Sequence, residues 1–258
     1  MTETTRKETY FYDVHGSALG GQITGPFQAF IDVQAGASLP TIGGYGSSRA
    51  ADFRFKEIIS FQSAYTEVMG AYDREDGGYH SLATSVVEGL NILGVVTADR
   101  VVARASSAWK PGEEESRIVS LGSQFENLRI GGGPVDVELN ADVLVKLRTF
   151  ASLKNEFKLN AAFRTIAENS LQTGQLQNPS DATRVFLCSL VKDIKGIPPG
   201  VERRGNMLHV PEFGRIFLAE VVAEPGRRAL TMLRLELGCA LTVSASAASV
   251  VGGGSTWP

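Results

Sequence analysis

Apolar and polar residues alternate with the period of a β-strand along most of this chain. The pattern is clearest in two places. The first reads Val87-Glu88-Gly89-Leu90-Asn91-Ile92-Leu93-Gly94, the second Phe125-Glu126-Asn127-Leu128-Arg129-Ile130-Gly131-Gly132, at an offset of 38 residues. Apolar, Glu, x, Leu, x, Ile, x, Gly is an alternating strand closed by a glycine that lets the chain turn. Each run leads into another alternating stretch, so residues 86–104 and 124–139 read as two copies of one β unit. A third, looser copy falls at Phe213 to Glu220.

The rest of the pattern predicts more strands and one helix. Tyr10 to Val14 is an aromatic strand that the His15-Gly16 step is expected to end. Residues 16–50 are rich in Gly, Ser, Ala and Pro, and only Phe27 to Val33 predicts a strand there. Residues 53–72 continue in extended fashion to a polar turn, Asp73 to Gly78. Beyond the second copy, Asn140 is a candidate cap and Asp142 suits a first turn. Val143, Leu147, Phe150, Leu153, Phe157 and Ala161 then recur at helical spacing, predicting a helical insertion over 141–170. Strands return at Arg184 to Val191, Leu208 to Val210, Arg215 to Val222, Ala229 to Leu237 and Leu241 to Val251. The expected fold is mainly β, a sandwich or roll-like stack of antiparallel strands with one α-helical insertion. In this reading 1–9 is a flexible tail, 10–251 a single β-rich domain, and 252–258 a Gly-rich C-terminal tail.

Composition narrows the function classes. With 258 residues, 43% hydrophobic and 21% charged, the chain can bury a substantial core. A net charge of −3 with scattered Lys and Arg argues against broad binding to nucleic acid or an anionic membrane. Cys188 and Cys239 sit in apolar settings and read as two buried thiols, with a disulfide between them left open. The polar N-terminus precedes no apolar signal core, and no stretch approaches the ~20 apolar residues of a membrane span. The default compartment is therefore the cytoplasm, with non-classical export left open.

Leu90 to Val101, reading LNILGVVTADRV, resembles a motif of the choice-of-anchor P β-rich domains of bacterial surface proteins. Val210-Pro211-Glu212-Phe213-Gly214-Arg215-Ile216-Phe217-Leu218, followed by the small-residue strand Leu241 to Val251, is similar to their C-terminal part. The resemblance implies an all-β module of unknown biochemical role, displayed or assembled outside the cell, with no established catalytic residues to carry over. The chain departs from it in showing no signal peptide or anchor and in carrying the helix at 141–169.

Candidate chemistry is sparse. His15, His80 and His209 are far apart and lie at no ligand-pair spacing. Gly46-Ser47-Ser48 and Gly253-Gly254-Ser255 lack the strand-to-helix setting of an activated serine, and Gly131-Gly132-Gly133-Pro134 lacks the helix and lysine of a phosphate loop. Asp73, Glu75 and Asp76 faintly resemble a calcium loop without its spacing or distal Glu, so a solvated hairpin tip is expected. Glu113-Glu114-Glu115 reads as a charged loop. Glu88 and Glu126, with Asp99 and Asp136 after them, are expected to face solvent, unless the equivalent acids line one groove. No catalytic residue, cofactor or metal ligand is expected. Among the aromatics Tyr10, Phe11, Tyr12, Trp109 and Trp257, core filling is the default. Trp257, Trp109, Tyr10 and Tyr12 remain the candidate partner-binding anchors.

Three function classes follow. The first is a non-catalytic structural or partner-binding protein, self-associating through strand edges. The second is a β-pore-forming or toxin-like protein, built on the Ser/Ala-rich strands at 81–109 and 241–251, and only here would a membrane be touched. The third is a hydrolase with dispersed acids. The first fits best.

Overall fold

The computed structural model describes residues 9–140, 145, 147–161, 163–164, 185–238 and 242–257. In the first half the strands are β1 (Thr9–Tyr12), β2 (His15–Gly25), β3 (Ala29–Gln34), β4 (Ala37–Ser38), β5 (Gly44–Phe55), β6 (Ile59–Asp73), β7 (Gly78–Ile92) and β8 (Val96–Trp109). Then come β9 (Arg117–Val119), β10 (Gln124–Glu126), β11 (Arg129–Ile130), β12 (Gly133–Pro134), β13 (Asp136–Leu139) and a helix, α1 (Phe150–Leu159). The chain continues through β14 (Phe186–Ser189), β15 (Val191–Lys195), β16 (Glu202–Arg204), β17 (Met207–Val210), β18 (Gly214–Glu224), β19 (Arg227–Gly238) and β20 (Thr242–Trp257).

These strands form two antiparallel sheets and a small β13–β15 ribbon. The larger sheet runs β16-β17-β18-β19-β20-β2-β3, with β14 beside β18, β1 beside the end of β20 and β4 beside β2. The smaller runs β12-β11-β8-β7-β6-β5, with β9 and β10 also on β8. Their facing sides share one core. The small sheet contributes Val68, Ala83, Val87, Leu90, Ile92 and Val101, the large sheet Leu19, Ile23, Ile216, Leu218, Leu233 and Val250. Burying each of these Val, Leu and Ile side chains stabilises by about 2 kcal/mol. Buried hydroxyls satisfy one another: Thr66 donates to Ser85 at 3.0 Å, and Ser81 and Ser107 share a bond of 2.6 Å. The protein is thus mainly β and sandwich-like, as its alternating pattern predicts.

A line of irregular backbone positions crosses each sheet without shifting the main strand registers. In the large one, Ala219 (φ 48°), Met232, Ala248 (φ 51°) and Ala18 fall level where the paired registers skip a position, and all four are fully buried. In the small one, Asp52 (φ 51°), Gly89 (φ 64°) and Asn127 (φ 50°) mark a similar line. Across the line in β18 the inward set changes from Ile216 and Leu218 to Val221 and Ala223, so strict period-2 reading fails there although the register is kept.

Several expectations are corrected. Residues 16–50 hold the 11-residue β2 and most of the 12-residue β5. Their glycines permit close packing: a Cβ on Gly21 would lie 2.4 Å from the Ser244 carbonyl oxygen on the neighbouring β20. The Gly-rich stretch 252–257 is the end of β20, not a tail, and pairs with β1 from Tyr12↔Gly254 to Thr9↔Trp257. Of the expected N-terminal tail, Thr9 already belongs to β1, while residues 1–8 lie outside the described residues.

Within the expected insertion the structure describes α1, and Val145 ahead of it is also helical. Asn140 donates its N–H to the Leu190 carbonyl at 2.7 Å, and the cap is Thr149, in a reciprocal box with Ser152 at 3.1 Å each way. Glu115 accepts the exposed N–H groups of Phe150 and Ala151 at 2.8 and 2.9 Å, which suits the positive end of the helix dipole. The predicted apolar face holds at Phe150, Leu153 and Phe157. Residues 141–144, 146, 162 and 165–170 of the expected insertion lie outside the described residues.

Candidate functional site

The two repeat copies are the two neighbours of β8. Val87 of β7 and Phe125 of β10 both pair with Val101; Glu88 and Glu126 both pair with Arg100. Farther along, Asn91 and Arg129 both face Thr97, and Ile92 and Ile130 both face Val96. Matched backbone irregularities accompany the matched register: Gly89 with Asn127, Leu93 with Gly131 and Gly94 with Gly132 all have positive φ. Leu90 and Leu128 are both buried, as are Ile92 and Ile130. The repeat is therefore a duplicated edge-to-edge unit clasping one central strand.

Its chemistry centres on Arg100. The guanidinium lies 3.5 Å from Glu88 on one side and 3.5 Å from Glu126 on the other, and donates to the Tyr65 hydroxyl at 3.3 Å. The Tyr65 hydrogen bond first, then the charges of Glu126 and Glu88, hold Arg100 above its ordinary pKa against some desolvation. Ser63 donates to Glu88 at 2.5 Å, Gln124 to Glu126 at 2.6 Å, and Arg49 lies over the Tyr65 ring and 3.7 Å from Glu67. A cleft of about 650 Å³ runs beside this cluster, lined by Arg49, Ser63, Tyr65, Glu67 and Glu88 among others. The equivalent acids thus share one arginine instead of merely facing solvent. Asp99 accepts from Asn127 at 2.6 Å, while Asp136 is exposed in β13. Because the cluster is partly exposed, removing its centre costs little. Arg100→Met is expected to lose about 1 kcal/mol in chemical denaturation, and Glu126→Gln in that background to recover part of it.

The candidate anchor aromatics are placed differently from a docking surface. Tyr10, Tyr12 and Trp109 are each 3% exposed. Tyr10 stacks on Trp109 at 5.1 Å and meets Tyr12 edge-on at 5.0 Å, with Tyr79 packed against all three. Tyr10 shares a 2.8 Å hydrogen bond with Ser116, Trp109 donates to the Glu113 carbonyl at 2.8 Å, and the Tyr12 hydroxyl has no partner among the described residues. Burial raises the pKa of both tyrosines. This cluster seals the end of the sandwich where β1, β7 and β8 meet. Trp257 closes β20 against Thr9; its side chain lies outside the described residues.

Asp73, Asp76 and His80 do place three donor atoms within 4.8 Å of one another at the β6–β7 hairpin tip. Asp76 is already engaged by the His80 ring at 3.0 Å, the Gly78 amide at 2.7 Å and the Lys110 ammonium at 3.4 Å, which together hold it below the usual carboxylate range. Glu75 donates its amide to Asp73 in the same turn. His15 pairs with Asp13, and His209 is exposed in β17. Burial pushes the Cys188 thiol up to about 12, which leaves it unreactive, and lowers Arg228, which donates to the carbonyls of Ile118 and Leu147, to about 10. Cys239 lies outside the described residues.

The sandwich leaves one flank open. The large sheet ends in β3 and the small one in β5, and these two strands touch. Along this flank Phe30 (77%), Val33 (64%), Ile42 (84%), Tyr45 (58%) and Met69 (45%) are exposed, Tyr45 and Met69 as direct cross-strand neighbours. The opposite sheet ends are guarded: β16 is Glu202-Arg203-Arg204, all exposed, and β12 is two residues long and includes Pro134. In β5 the stretch Gly44 to Ala51 has no proline and one charge, Arg49, held by Glu67.

Residues 10–224 match the family model described as a domain of unknown function, DUF8256. The chain belongs to this family. The match runs from β1 to the end of β18, whereas the DUF8256 fold seen here needs β19 and β20 to join β18 to β2. No curated protein and no solved structure matches the chain. No helix among the described residues is long and apolar enough to cross a membrane. Two features of this DUF8256 chain escaped the sequence pattern: Arg100 as the meeting point of both repeat acids, and the open β5 edge. The offset of the repeat pointed toward the first; residues 44–51 read as loop and hid the second.

Proposed function

We propose that the protein is a non-catalytic structural module that associates with a second copy of itself by pairing the β5 edges. The observation that carries this reading is the open flank, where both sheets end together beside a row of exposed apolar side chains. Antiparallel self-pairing over Gly44 to Ala51 sets Ser47 against Ser48, Gly44 against Ala51 and Tyr45 against Ala50, so every pair includes a small residue. It opposes no two like charges, since Arg49 falls across from Gly46 when Ser47 meets Ser48. The sheet ends at β16 and β12 are guarded, which favours this flank for strand addition. The resemblance of residues 90–101 to choice-of-anchor P domains supports the same non-catalytic reading. The strands that a pore-former would release, β7, β8 and β20, are central in their sheets and carry fully buried Val86, Val87, Val101 and Ala248.

Sedimentation equilibrium across a range of concentrations tests the proposal. The wild type is expected to show reversible dimerisation, and Phe30→Glu with Ile42→Glu to remain monomeric at unchanged melting temperature, because both side chains are exposed. A wild type that stays monomeric at every concentration, or a double variant that dimerises equally well, overturns it.

A further inference from the structure

A second groove lies on the outer face of the small sheet, away from β5. Its floor is the cross-strand row Leu82, Ser106 and Val119, with Ala108 beside it. Its volume is about 650 Å³, the size of a small-molecule site. Around that floor stand Arg104, Lys110, Arg117, Arg148 and His80, with Asp76 the one acid in the lining. Asp76 occupies Lys110 and His80, and Glu113 lies 3.1 Å from Arg117. Four permanent cations therefore face two carboxylates, in a chain whose net charge is −3.

Two of these cations have no carboxylate partner among the described residues. Arg104 is exposed on β8, and its guanidinium has no hydrogen-bond or ion-pair partner among the described residues. Arg148 spends only its Nε, on the Val145 carbonyl at 2.7 Å, and leaves its terminal nitrogens free. The buried Nε of Arg117 also lacks a hydrogen-bond partner. Like-charged guanidiniums repel one another, and an uncompensated group of them is a local cost that a bound anion removes. Planar guanidiniums take phosphate oxygens in pairs, which a lysine cluster does less specifically.

We propose that this groove binds a small, multiply charged phosphate compound, with Arg104 and Arg148 as its principal contacts. The phosphate can come from a free polyphosphate or from a lipid headgroup, and the shared chemistry is a cluster of non-bridging phosphate oxygens. The inference is independent of the β5 edge, since no groove residue belongs to that flank.

The test is titration calorimetry with inorganic tripolyphosphate at low and moderate salt, on the full chain. Saturable binding that weakens as salt rises is expected. Arg104→Gln is expected to weaken it by about tenfold, the loss of one charge-assisted contact. Arg104→Gln with Arg148→Gln abolishes it, while Arg215→Gln, on the opposite sheet, leaves it unchanged. Thermal melts establish that each variant is folded. A parallel arm measures co-sedimentation with phosphatidylcholine vesicles containing a phosphatidylinositol phosphate. Lipid binding that tripolyphosphate displaces and Arg104→Gln weakens assigns the headgroup as the source, and its absence beside tripolyphosphate binding assigns a free phosphate compound. No binding of tripolyphosphate at low salt overturns the proposal. So does an equal loss in Arg104→Gln and Arg215→Gln, which would show only general charge attraction.

Discussion

Trp109→Ala is expected to destabilise the protein by about 4 kcal/mol in chemical denaturation, the range for deleting a large buried aromatic. Trp109 is 3% exposed, stacks on Tyr10 and packs against Tyr79, so alanine leaves a cavity between β1, β7 and β8. It also frees the Glu113 carbonyl, which the indole N–H now satisfies. Trp109→Phe separates the two contributions: it keeps much of the ring contact and should lose roughly half as much. An anchor for a partner would behave in the opposite way. Truncating it would leave the isolated protein as stable as before and weaken only an association.

Gly253→Ala is the second substitution with a large expected cost, about 3 kcal/mol, from combined strain and overpacking. Gly253 sits at φ 144°, a conformation that side-chain-bearing residues rarely adopt, and a Cβ there would lie 2.1 Å from the Gly226 carbonyl oxygen. Both neighbours are backbone, so no rotamer change relieves the clash. Its partner in register is Arg227, at the start of β19, and the flanking Gly254 donates to the same Gly226 carbonyl at 3.1 Å. A melt of Gly253→Ala therefore decides whether 252–257 is sheet or tail. A loss of several degrees places it in the sheet; an unchanged curve would make it a tail.

These two positions show where the sequence pattern was readable. β17, β18, β19 and most of β20 were legible because alternating aliphatic residues stand between Pro-Gly and Gly turns, as at Glu224-Pro225-Gly226. The mainly β sandwich followed from the same alternation, and α1 from the helical spacing of Phe150, Leu153 and Phe157. Residues 16–50 and 252–257 were not legible, since glycine weakens any strand signal. There the glycines answer to a neighbour across the sheet, Ser244 for Gly21 and Gly226 for Gly253, and one sequence does not reveal such neighbours. The acid at the start of α1 was hidden for a related reason, since Glu115 meets the Phe150 amide from 35 residues away.

The candidate sites divide in the same way. Glu88 and Glu126 stood out by their shared repeat position, yet the residue that gives the pairing meaning is Arg100, in the strand between them. That the copies flank one strand is a matter of long-range register, which spacing alone does not encode. The aromatics Tyr10, Tyr12 and Trp109 were visible as residue types, but burial separates anchors from core, and burial belongs to the fold.

The edge-pairing account is tested most directly by amide hydrogen exchange, measured residue by residue in dilute and in concentrated protein. The account predicts that amides within residues 44–51 of β5 slow markedly on concentration, while those of the guarded β16, residues 202–204, do not change. Exchange over residues 44–51 that is the same at both concentrations would contradict it.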